Sequence, residues 1–331
     1  MQTLVIHEGT FTRLAEELKP YAAALDLAVL HNDGCFRTAD GDVIDGTVKP
    51  TLGYGTPDVW FTSIAPRFVQ TLLETDRLQW FQSSAAGLEH PILRAIGSKA
   101  EIYTNSHAQA EAIAEWVLWA GLDWLQGGPA RRAAQMEKRW DRLEFREIAG
   151  THWLIIGFGA IGRETAKRLR RLGVHITGIR RTPGADPDAD QMLQPNDIHS
   201  VLPTADAVVL CCPHTPETER MANAAFFDAM KPNALFLNVG RGKLVDEAAL
   251  LTGLKDGKPA HAALDVLDEE PASPDSPFWT HPSVTLTAHI SANTMGSAHR
   301  TDKMFIENLG RFLQGQEPIN IVPPSEFDTS A

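Results

Sequence analysis

A short apolar run followed at once by three glycines is the feature that most constrains this 331-residue chain. The run is Trp-Leu-Ile-Ile at 153–156, the glycines are Gly157, Gly159 and Gly162, and a segment with helical spacing of apolar residues follows at 163–172. In such a strand, turn and helix the first glycine permits a tight turn, the second lets backbone approach a phosphate, and the third lets helix and strand pack closely. The pattern therefore predicts a dinucleotide site, and the alternative is a turn in an ordinary α/β domain. The predicted contacts are Gly157, Phe158, Gly159, Ala160, Ile161 and Gly162.

The end of the next predicted strand, 174–179, indicates which dinucleotide binds. The strand is followed by Arg180, Arg181 and Thr182, where an NAD site would place an Asp or Glu for the adenosine ribose hydroxyls. Two guanidiniums and a hydroxyl suit a ribose 2'-phosphate, because arginine forms bidentate charge-assisted hydrogen bonds to phosphate oxygens. We therefore expect NADP(H) in preference to NAD(H). The alternative is a solvated basic turn.

Charge and hydropathy exclude several classes of protein. The formal net charge of -12 argues against a general affinity for nucleic acid or anionic membranes. The most apolar helix candidate, 110–125, contains Glu111, Glu115 and Asp123, so no membrane span is expected. We expect a small-molecule ligand and no nucleic-acid or membrane partner.

The N-terminus and the cysteines indicate the compartment. Residues 1–7 lack the basic and apolar regions of a signal peptide and are typical of a first strand. The three cysteines, Cys35, Cys211 and Cys212, have no zinc-binding spacing, and the adjacent pair lies within a predicted apolar strand, where a packing role is expected. We expect a cytoplasmic protein that holds no metal.

Strands and helices alternate in two series along the chain. In the second series strands are predicted at 153–156, 176–179, 207–212, 234–239, 262–266 and 284–287. In the first series they are predicted at 3–7, 27–30, 59–62, 80–83 and 102–103. Alternation of this kind produces doubly wound parallel sheets, so we expect an α/β protein of two Rossmann-like domains.

The position of the glycine turn predicts how the domains are connected. Because the turn begins only at 157, the nucleotide domain is expected to be inserted into the other one. The predicted substrate domain comprises 1–105 and 290–331, and includes a closing helix near 296–312. The predicted NAD(P)-binding domain comprises 106–289, including the connecting helix.

Polar residues follow three of the later predicted strands. They are Arg241, the acidic run Asp268-Glu269-Glu270, and His289. Ligands of doubly wound sheets bind outside the carboxyl ends of the strands. Hydride transfer to a 2-oxo acid needs a cation for the carboxylate, a proton donor for the carbonyl oxygen, and an anion that stabilises the protonated donor. On residue type alone, each of the three acids could supply that anion.

Four ordered segments carry a resemblance that covers nearly the whole chain. Segments 212–218, 238–247, 263–271 and 287–294 resemble the signatures of the D-isomer-specific 2-hydroxyacid dehydrogenases. The resemblance implies that Arg241 binds the substrate carboxylate, that Glu270 is the acid before the proline, and that His289 is the catalytic histidine. It also implies that Asp265 binds the nicotinamide carboxamide, for which a helix cap is the alternative. Further implied cofactor contacts are Cys212, Pro213, Thr218, Val239, Gly240, Ser291 and Ala292.

The resemblance assigns a substrate-binding turn to the first domain. Residues 83–89 are similar to the family's glycine-rich turn, whose backbone N–H groups hold the substrate carboxylate. The match is looser here, because alanine stands where glycine is common and Glu89 where aspartate is common. The implied substrate contacts are Ala86, Gly87 and Leu88.

Together these features predict the NADPH-dependent reduction of a small 2-oxo acid to the D-2-hydroxy acid. His289 is the expected general acid/base, assisted by Glu270, with Arg241 on the carboxylate. Glyoxylate or hydroxypyruvate is the first choice and phosphoglycerate a less favoured one, while an acid at 270 disfavours formate oxidation, which uses an amide there in the family. The alternatives are a dehydrogenase for a bulkier 2-hydroxy acid and a nucleotide-sensing protein on the same fold.

The resemblance also implies a homodimer. In the family, the helix corresponding to 108–125 and the arm after it form the dimer interface. Apolar residues cover more of that helix than a single buried face requires. They are Ile113, Trp116, Val117, Trp119 and Leu122.

Overall fold

The computed structural model describes residues 1–60, 62–85, 87–88 and 90–327. The chain divides into two compact units. One unit is Met1–Ala108 with Met295–Ala331, and the other is Gln109–Thr294. Each is built on a predominantly parallel sheet with connecting helices, so the predicted fold class is confirmed.

The first unit begins with six strands and four helices within its described residues. The strands are β1 (Gln2–His7), β2 (Leu25–Leu30), β3 (Phe36–Arg37), β4 (Leu52–Gly55), β5 (Leu78–Ser83) and β6 (Ala100–Thr104). The helices are α1 (Glu8–Leu18), α2 (Pro57–Trp60), α3 (Ala65–Glu74) and α4 (Pro91–Lys99). The strand order is β3-β2-β1-β4-β5-β6, and only β3 runs antiparallel to its neighbour.

The strand predicted at 59–62 is wrong. The chain there forms α2, and the strand that takes this place in the sheet is β4, which contains Gly53 and Gly55. A Cβ on Gly55 would lie 2.2 Å from Trp60 Cζ2. The indole of Trp60 therefore fills the space that a side chain at position 55 would need, which explains the glycine. The strand was missed because it lacks the β-branched residues that mark strands. Phe61 lies outside the described residues.

The second unit contains the remaining strands and six of the helices among its described residues. Its strands are β7 (His152–Ile156), β8 (His175–Ile179), β9 (Gln191–Leu193), β10 (Ala207–Leu210), β11 (Leu235–Asn238), β12 (His261–Leu264) and β13 (Val284–Leu286). Its helices are α5 (Ala110–Leu125), α6 (Gly128–Met136), α7 (Ala160–Arg170), α8 (Ile198–Val201), α9 (Ala224–Ala229) and α10 (Glu247–Asp256). Strand β9 was not predicted, because three residues show no apolar run.

The sheet of the second unit is parallel throughout, in the order β13-β12-β11-β10-β7-β8-β9. Its central strands are apolar on both faces: Leu154 and Ile156 belong to one core cluster, and Trp153 and Ile155 to another. This double burial explains the continuous apolar runs of the sequence. The connections reverse direction between β7 and β10, and the carboxyl ends of strands at such a switch point form a ligand-binding crevice.

Helix α11 (Met295–Leu313) completes the first unit. The ring of Phe305 is fully buried and stacks on Tyr54 with 4.1 Å between ring centroids. The carboxylate of Asp302 accepts hydrogen bonds from Tyr54 Oη at 2.8 Å and from Arg13 Nε at 2.8 Å. The closing helix predicted near 296–312 is therefore present and packs on strands from the start of the chain.

Among the helices of the described residues, none combines the length and apolar character needed to span a membrane. The same residues contain no group of three or more His, Cys, Asp or Glu placed to hold a metal ion. The cytoplasmic location stays a prediction.

Candidate active site

The glycine turn after β7 has the three properties that a pyrophosphate site requires. Gly157 has φ +98°, and a Cβ there would lie 2.4 Å from the backbone nitrogen of Cys212. A Cβ on Gly162 would lie 2.6 Å from the carbonyl oxygen of Gly157. A Cβ on Gly159, by contrast, would meet no described atom within 4 Å. The outer two glycines are thus required by the protein's own packing, and the middle one borders open space.

Helix α7 begins directly after Gly159, which has no side chain to cap it. Its first N–H groups and the positive end of its dipole adjoin the open space, an arrangement that favours an anion such as a phosphate. The residues at this turn therefore fit the pyrophosphate of a dinucleotide.

Cys211 and Cys212 follow β10 and are not inside a strand, which corrects the prediction for this pair. The thiol of Cys211 donates to the carbonyl oxygen of Gly157 at 3.0 Å. Burial raises the pKa of both thiols, that of Cys212 to about 11, so both are neutral at physiological pH. The pair supports the glycine turn and carries no reactive thiolate.

The three residues predicted to recognise a 2'-phosphate do not behave alike. Arg181 and Thr182 are exposed, and Arg181 makes no hydrogen bond or ion pair with the described residues. The guanidinium of Arg180 is engaged: Nη2 donates to the carbonyl oxygen of Gly184 at 2.7 Å, and Nη1 lies 3.5 Å from Oδ2 of Asp186. Of the three predicted side chains, Arg181 and Thr182 are therefore exposed to solvent, and Arg180 is held by its own loop.

The side chains of His289 and Glu270 are joined by a direct hydrogen bond. They lie on the loops after β13 and β12, which are neighbours in the sheet. Nδ1 of His289 donates to Oε2 of Glu270 at 2.7 Å, and Oε1 of Glu270 accepts the N–H of Leu267 at 3.0 Å. Of the three consecutive acids, Glu270 is therefore the one that contacts the histidine.

Arg241 lies on the loop after β11, and a glycine brings this loop against the one that carries Glu270. A Cβ on Gly242 would lie 1.9 Å from the carbonyl carbon of Leu267. Nη1 of Arg241 donates to the carbonyl oxygen of Gly240 at 2.7 Å. The close backbone contact explains why glycine follows the arginine, and it places Arg241 and the His289–Glu270 pair on adjoining loops.

Asn238, at the end of β11, shapes the arginine turn, and the sequence analysis assigned it no role. Its side chain is fully buried. Nδ2 donates to the carbonyl oxygen of Arg241 at 2.8 Å, and Oδ1 accepts the N–H of Gly240 at 3.0 Å. A polar residue that ends an otherwise apolar strand was the available signal, because a buried amide needs partners from the following turn.

Asp265 anchors the loop that carries His289. Its side chain is buried and accepts hydrogen bonds from Thr287 Oγ1 at 2.5 Å, Ile290 N at 2.9 Å and Ser291 N at 3.0 Å. Its carbonyl oxygen accepts the N–H of His289 at 2.8 Å. These bonds hold His289 at φ +53°, a conformation that residues other than glycine rarely adopt.

No helix begins directly after Asp265, since the next helical turn starts only at Pro277, so the helix-cap alternative is wrong. Its predicted contact with the nicotinamide carboxamide stays a prediction. The other implied cofactor residues follow the same strand ends. Val239, Gly240 and Ser291 are buried, whereas Pro213 is exposed and accepts a hydrogen bond at its carbonyl oxygen from Thr218 Oγ1 at 2.9 Å. Ala292 is half-buried.

The turn predicted to bind substrate lies in the first unit after β5. Gly87 and Leu88 are half-buried, and the carbonyl oxygen of Leu88 accepts a hydrogen bond from Arg94 Nε at 3.1 Å. Ala86, together with Glu89, lies outside the described residues. The assignment of this turn to substrate binding stays a prediction.

The family model described as "D-isomer specific 2-hydroxyacid dehydrogenase, NAD binding domain" matches residues 118–291, more than half of the chain. The chain belongs to the D-isomer specific 2-hydroxyacid dehydrogenase family. This is a family of NAD(P)-dependent oxidoreductases, and the matched residues include the glycine turn, Arg241, Glu270 and His289.

Two curated relatives and one solved structure illustrate the similarity. The chain is 30% identical over 253 residues to D-3-phosphoglycerate dehydrogenase of Methanocaldococcus jannaschii, an alignment that covers 75% of the chain and 48% of the relative. It is 32% identical over 207 residues to glyoxylate/hydroxypyruvate reductase B of Citrobacter koseri, which covers 59% of the chain and 64% of the relative. The chain thus spans about half to two thirds of the length of these curated relatives.

The solved structure is similar over its whole length. It is a D-isomer specific 2-hydroxyacid dehydrogenase of Xanthobacter autotrophicus in complex with NADPH and MES, with a TM-score of 0.76, 25% identity and 99% coverage of both chains. The similarity therefore extends across both units of this dehydrogenase-family chain.

Proposed function

We propose that this protein catalyses the NADPH-dependent reduction of a small 2-oxo acid to the D-2-hydroxy acid. The observation that carries the proposal is the hydrogen bond between His289 Nδ1 and Glu270 Oε2, 2.7 Å long, in the same unit as the open glycine turn. A sensor protein has no need of an imidazole held by a carboxylate, whereas a reductase needs a positioned proton donor.

The chain's residues divide the chemistry between them. A bound dinucleotide supplies the hydride that C2 of the substrate accepts. Arg241 binds the substrate carboxylate and orients the 2-oxo group. Because Glu270 accepts a hydrogen bond from Nδ1–H of His289, Nε2 is the nitrogen available to donate a proton to the carbonyl oxygen, which becomes the hydroxyl. In the reverse direction His289 removes that proton.

We infer a preference for NADPH from the end of β8. Arg181 and Thr182 are exposed there, and no carboxylate stands at positions 180–182 to accept the ribose hydroxyls of NAD. The similar Xanthobacter protein was solved with NADPH bound, which agrees with this inference.

Glyoxylate and hydroxypyruvate are the proposed substrates. The Citrobacter relative carries the name of a reductase for these acids, whereas the Methanocaldococcus relative is named for phosphoglycerate. The test is the oxidation of NADPH and of NADH, followed by absorbance, with glyoxylate, hydroxypyruvate, phosphohydroxypyruvate and longer 2-oxo acids. We expect turnover with the first two and a D-configured product from hydroxypyruvate by chiral chromatography.

The other outcomes of that test select different functions. Turnover restricted to longer 2-oxo acids would indicate a dehydrogenase for a bulkier 2-hydroxy acid. NADPH binding without turnover of any acid would favour a nucleotide-sensing protein. An L-configured product would contradict the proposed stereochemistry.

We further propose that the protein is a homodimer through α5 and the segment after α6. Large apolar side chains are exposed there: Trp119 is 46% exposed, Trp140 95% and Phe145 53%. Exposed aromatic clusters of this kind mark protein contact surfaces. Light scattering coupled to size-exclusion chromatography should give twice the chain mass of 36.3 kDa, and a monomer would contradict the proposal.

A further inference from the structure

A buried carboxylate lies between two guanidiniums beside the end of β8. Oδ2 of Asp186 accepts a hydrogen bond from Arg163 Nε at 2.9 Å and lies 3.5 Å from Arg180 Nη1. Oδ1 accepts the N–H of Asp188 at 3.2 Å. Burial acts to raise the pKa of Asp186, but these hydrogen bonds and the charges of both arginines outweigh it and hold the pKa below its ordinary value. Asp186 is therefore an anion at neutral pH.

The guanidinium of Arg180 interacts with Asp186 and with the backbone of the loop that carries it. Nη1 faces the carboxylate, Nη2 donates to the carbonyl oxygen of Gly184 at 2.7 Å, and Nε is buried without a hydrogen-bond partner among the described residues. The neighbouring Arg181 is exposed and makes no hydrogen bond or salt bridge among the described residues, and its charge contributes to lowering the pKa of the exposed Glu217. The two adjacent arginines thus differ in their availability to a ligand. The guanidinium of Arg181 faces solvent, whereas that of Arg180 already interacts with other groups of the protein.

We propose that Asp186 is a specificity-determining residue that weakens the preference for a 2'-phosphorylated dinucleotide by withholding Arg180 from the phosphate. The inference rests on the proposed use of NADPH at this site. Arg180 directs Nη1 at the carboxylate and Nη2 at the carbonyl oxygen of Gly184, and its Nε is buried, so a phosphate has to compete with these acceptors for the guanidinium. The carboxylate also cancels one positive charge close to the phosphate site.

The test measures nucleotide fragments, so it needs no turnover. Binding of adenosine 2',5'-bisphosphate and of adenosine 5'-monophosphate to the full chain is measured by titration calorimetry. Asp186→Asn should bind the bisphosphate about three- to fivefold more tightly, the size expected for one further partly exposed ion pair, and the monophosphate as before. Asp188→Asn is the matched control: it removes the same charge two residues away and should bind both as the wild type does. Unchanged or weaker bisphosphate binding by Asp186→Asn would overturn the proposal.

Substitutions of Arg180 provide a second test of the proposal, which can be carried out even if Asp186→Asn fails to fold. Because Arg180 is withheld in the wild type, Arg180→Gln should weaken bisphosphate binding far less than Arg181→Gln does. In the Asp186→Asn background, Arg180→Gln should abolish the gain, since the gain depends on the released guanidinium. Equal losses from Arg180→Gln and Arg181→Gln in the wild-type background would overturn the proposal.

These measurements separate the inference from the proposed reaction. A wild-type chain that binds neither fragment would remove the dinucleotide site and this inference with it. A chain that shows the predicted changes in binding but reduces no 2-oxo acid would overturn the reaction and support the role of Asp186.

Discussion

The imidazole of His289 donates from Nδ1 to Oε2 of Glu270 over 2.7 Å, while the other oxygen of that carboxylate accepts the N–H of Leu267. Both oxygens of Glu270 are therefore used, one to hold the carboxylate and one to hold the histidine. The pair is 38–50% exposed at its side chains, so a substrate can reach the second imidazole nitrogen.

Loss of the proton donor should abolish most turnover. We expect His289→Gln to lower kcat by about 10³-fold and Glu270→Gln by about 10²-fold, within the range for general acid–base groups. Nucleotide binding should be unchanged, because neither side chain belongs to the glycine turn. The control is His175→Gln at the start of β8, five strands away from β13 in the sheet, which should leave kcat unaltered. Wild-type kcat in both site variants would remove the pair from the mechanism.

Alanine substitutions at Gly162 and Gly159 should affect different properties of the protein. Gly162→Ala would place a Cβ 2.6 Å from a backbone oxygen and should lower the free energy of unfolding by about 1–3 kcal/mol. Gly159→Ala meets no described atom within 4 Å, so it should keep the thermal midpoint while raising the KM for NADPH. Thermal unfolding and steady-state kinetics of both variants are the measurement. A Gly159→Ala variant with unaltered KM would show that backbone at this position does not approach the cofactor.

Asp265 should matter for both stability and turnover. In Asp265→Asn a single amide oxygen replaces two acceptors, so a buried donor loses its partner at a cost of about 1–3 kcal/mol. The His289 loop would then relax from its left-handed conformation, and kcat should fall. Thr287→Val removes one of the three donors to this carboxylate and should show a smaller loss. Identical unfolding midpoints and kcat for Asp265→Asn and the wild type would contradict this role.

Cofactor preference should depend on Arg181. Arg181→Gln removes an exposed guanidinium without breaking a bond to the described protein, so stability should be unaltered. The KM for NADPH should rise about tenfold through loss of a charge-assisted hydrogen bond, while the KM for NADH stays the same. An equal effect on both cofactors would show that the residue does not recognise the 2'-phosphate.

His261 should make the stability of the second unit depend on pH. The side chain is buried at the start of β12, stacked on Trp124 with 4.6 Å between ring centroids. Burial lowers its pKa to about 4, against an opposing attraction from Asp123. The unfolded chain takes up the proton near pH 6.5, so the stabilisation is fully present above that pH and is lost as the pH falls towards 4.

The matching measurement compares the wild type with His261→Gln by urea unfolding at several pH values. The stability advantage of the wild type should shrink between pH 6.5 and 4, by at most about 1.4 kcal/mol per pH unit. Parallel pH dependences for the two proteins would show that His261 is not the titrating group.

The strands of the second unit were predictable because both faces of the sheet are buried, which requires continuous apolar runs such as 153–156. Strand β4 was not, because its glycines are explained only by bulky side chains of other elements, which are Trp60 of α2, Leu72 of α3 and Phe81 of β5. A pattern of neighbouring residues predicts a strand when those residues themselves favour an extended, buried conformation. The same pattern misses a strand whose residues are small because a side chain from another element occupies the space beside them.

The same distinction holds at the site. The glycine turn and the order of Arg241, Glu270 and His289 at successive strand ends were predictable from the sequence, since turn conformation and strand length are short-range properties. The contact of Glu270 with the histidine, the anchoring of the histidine's loop by Asp265 and the pairing of Arg180 with Asp186 became visible in the folded structure. Contacts between loops depend on strand order and loop conformation, and these become defined only when the whole sheet assembles.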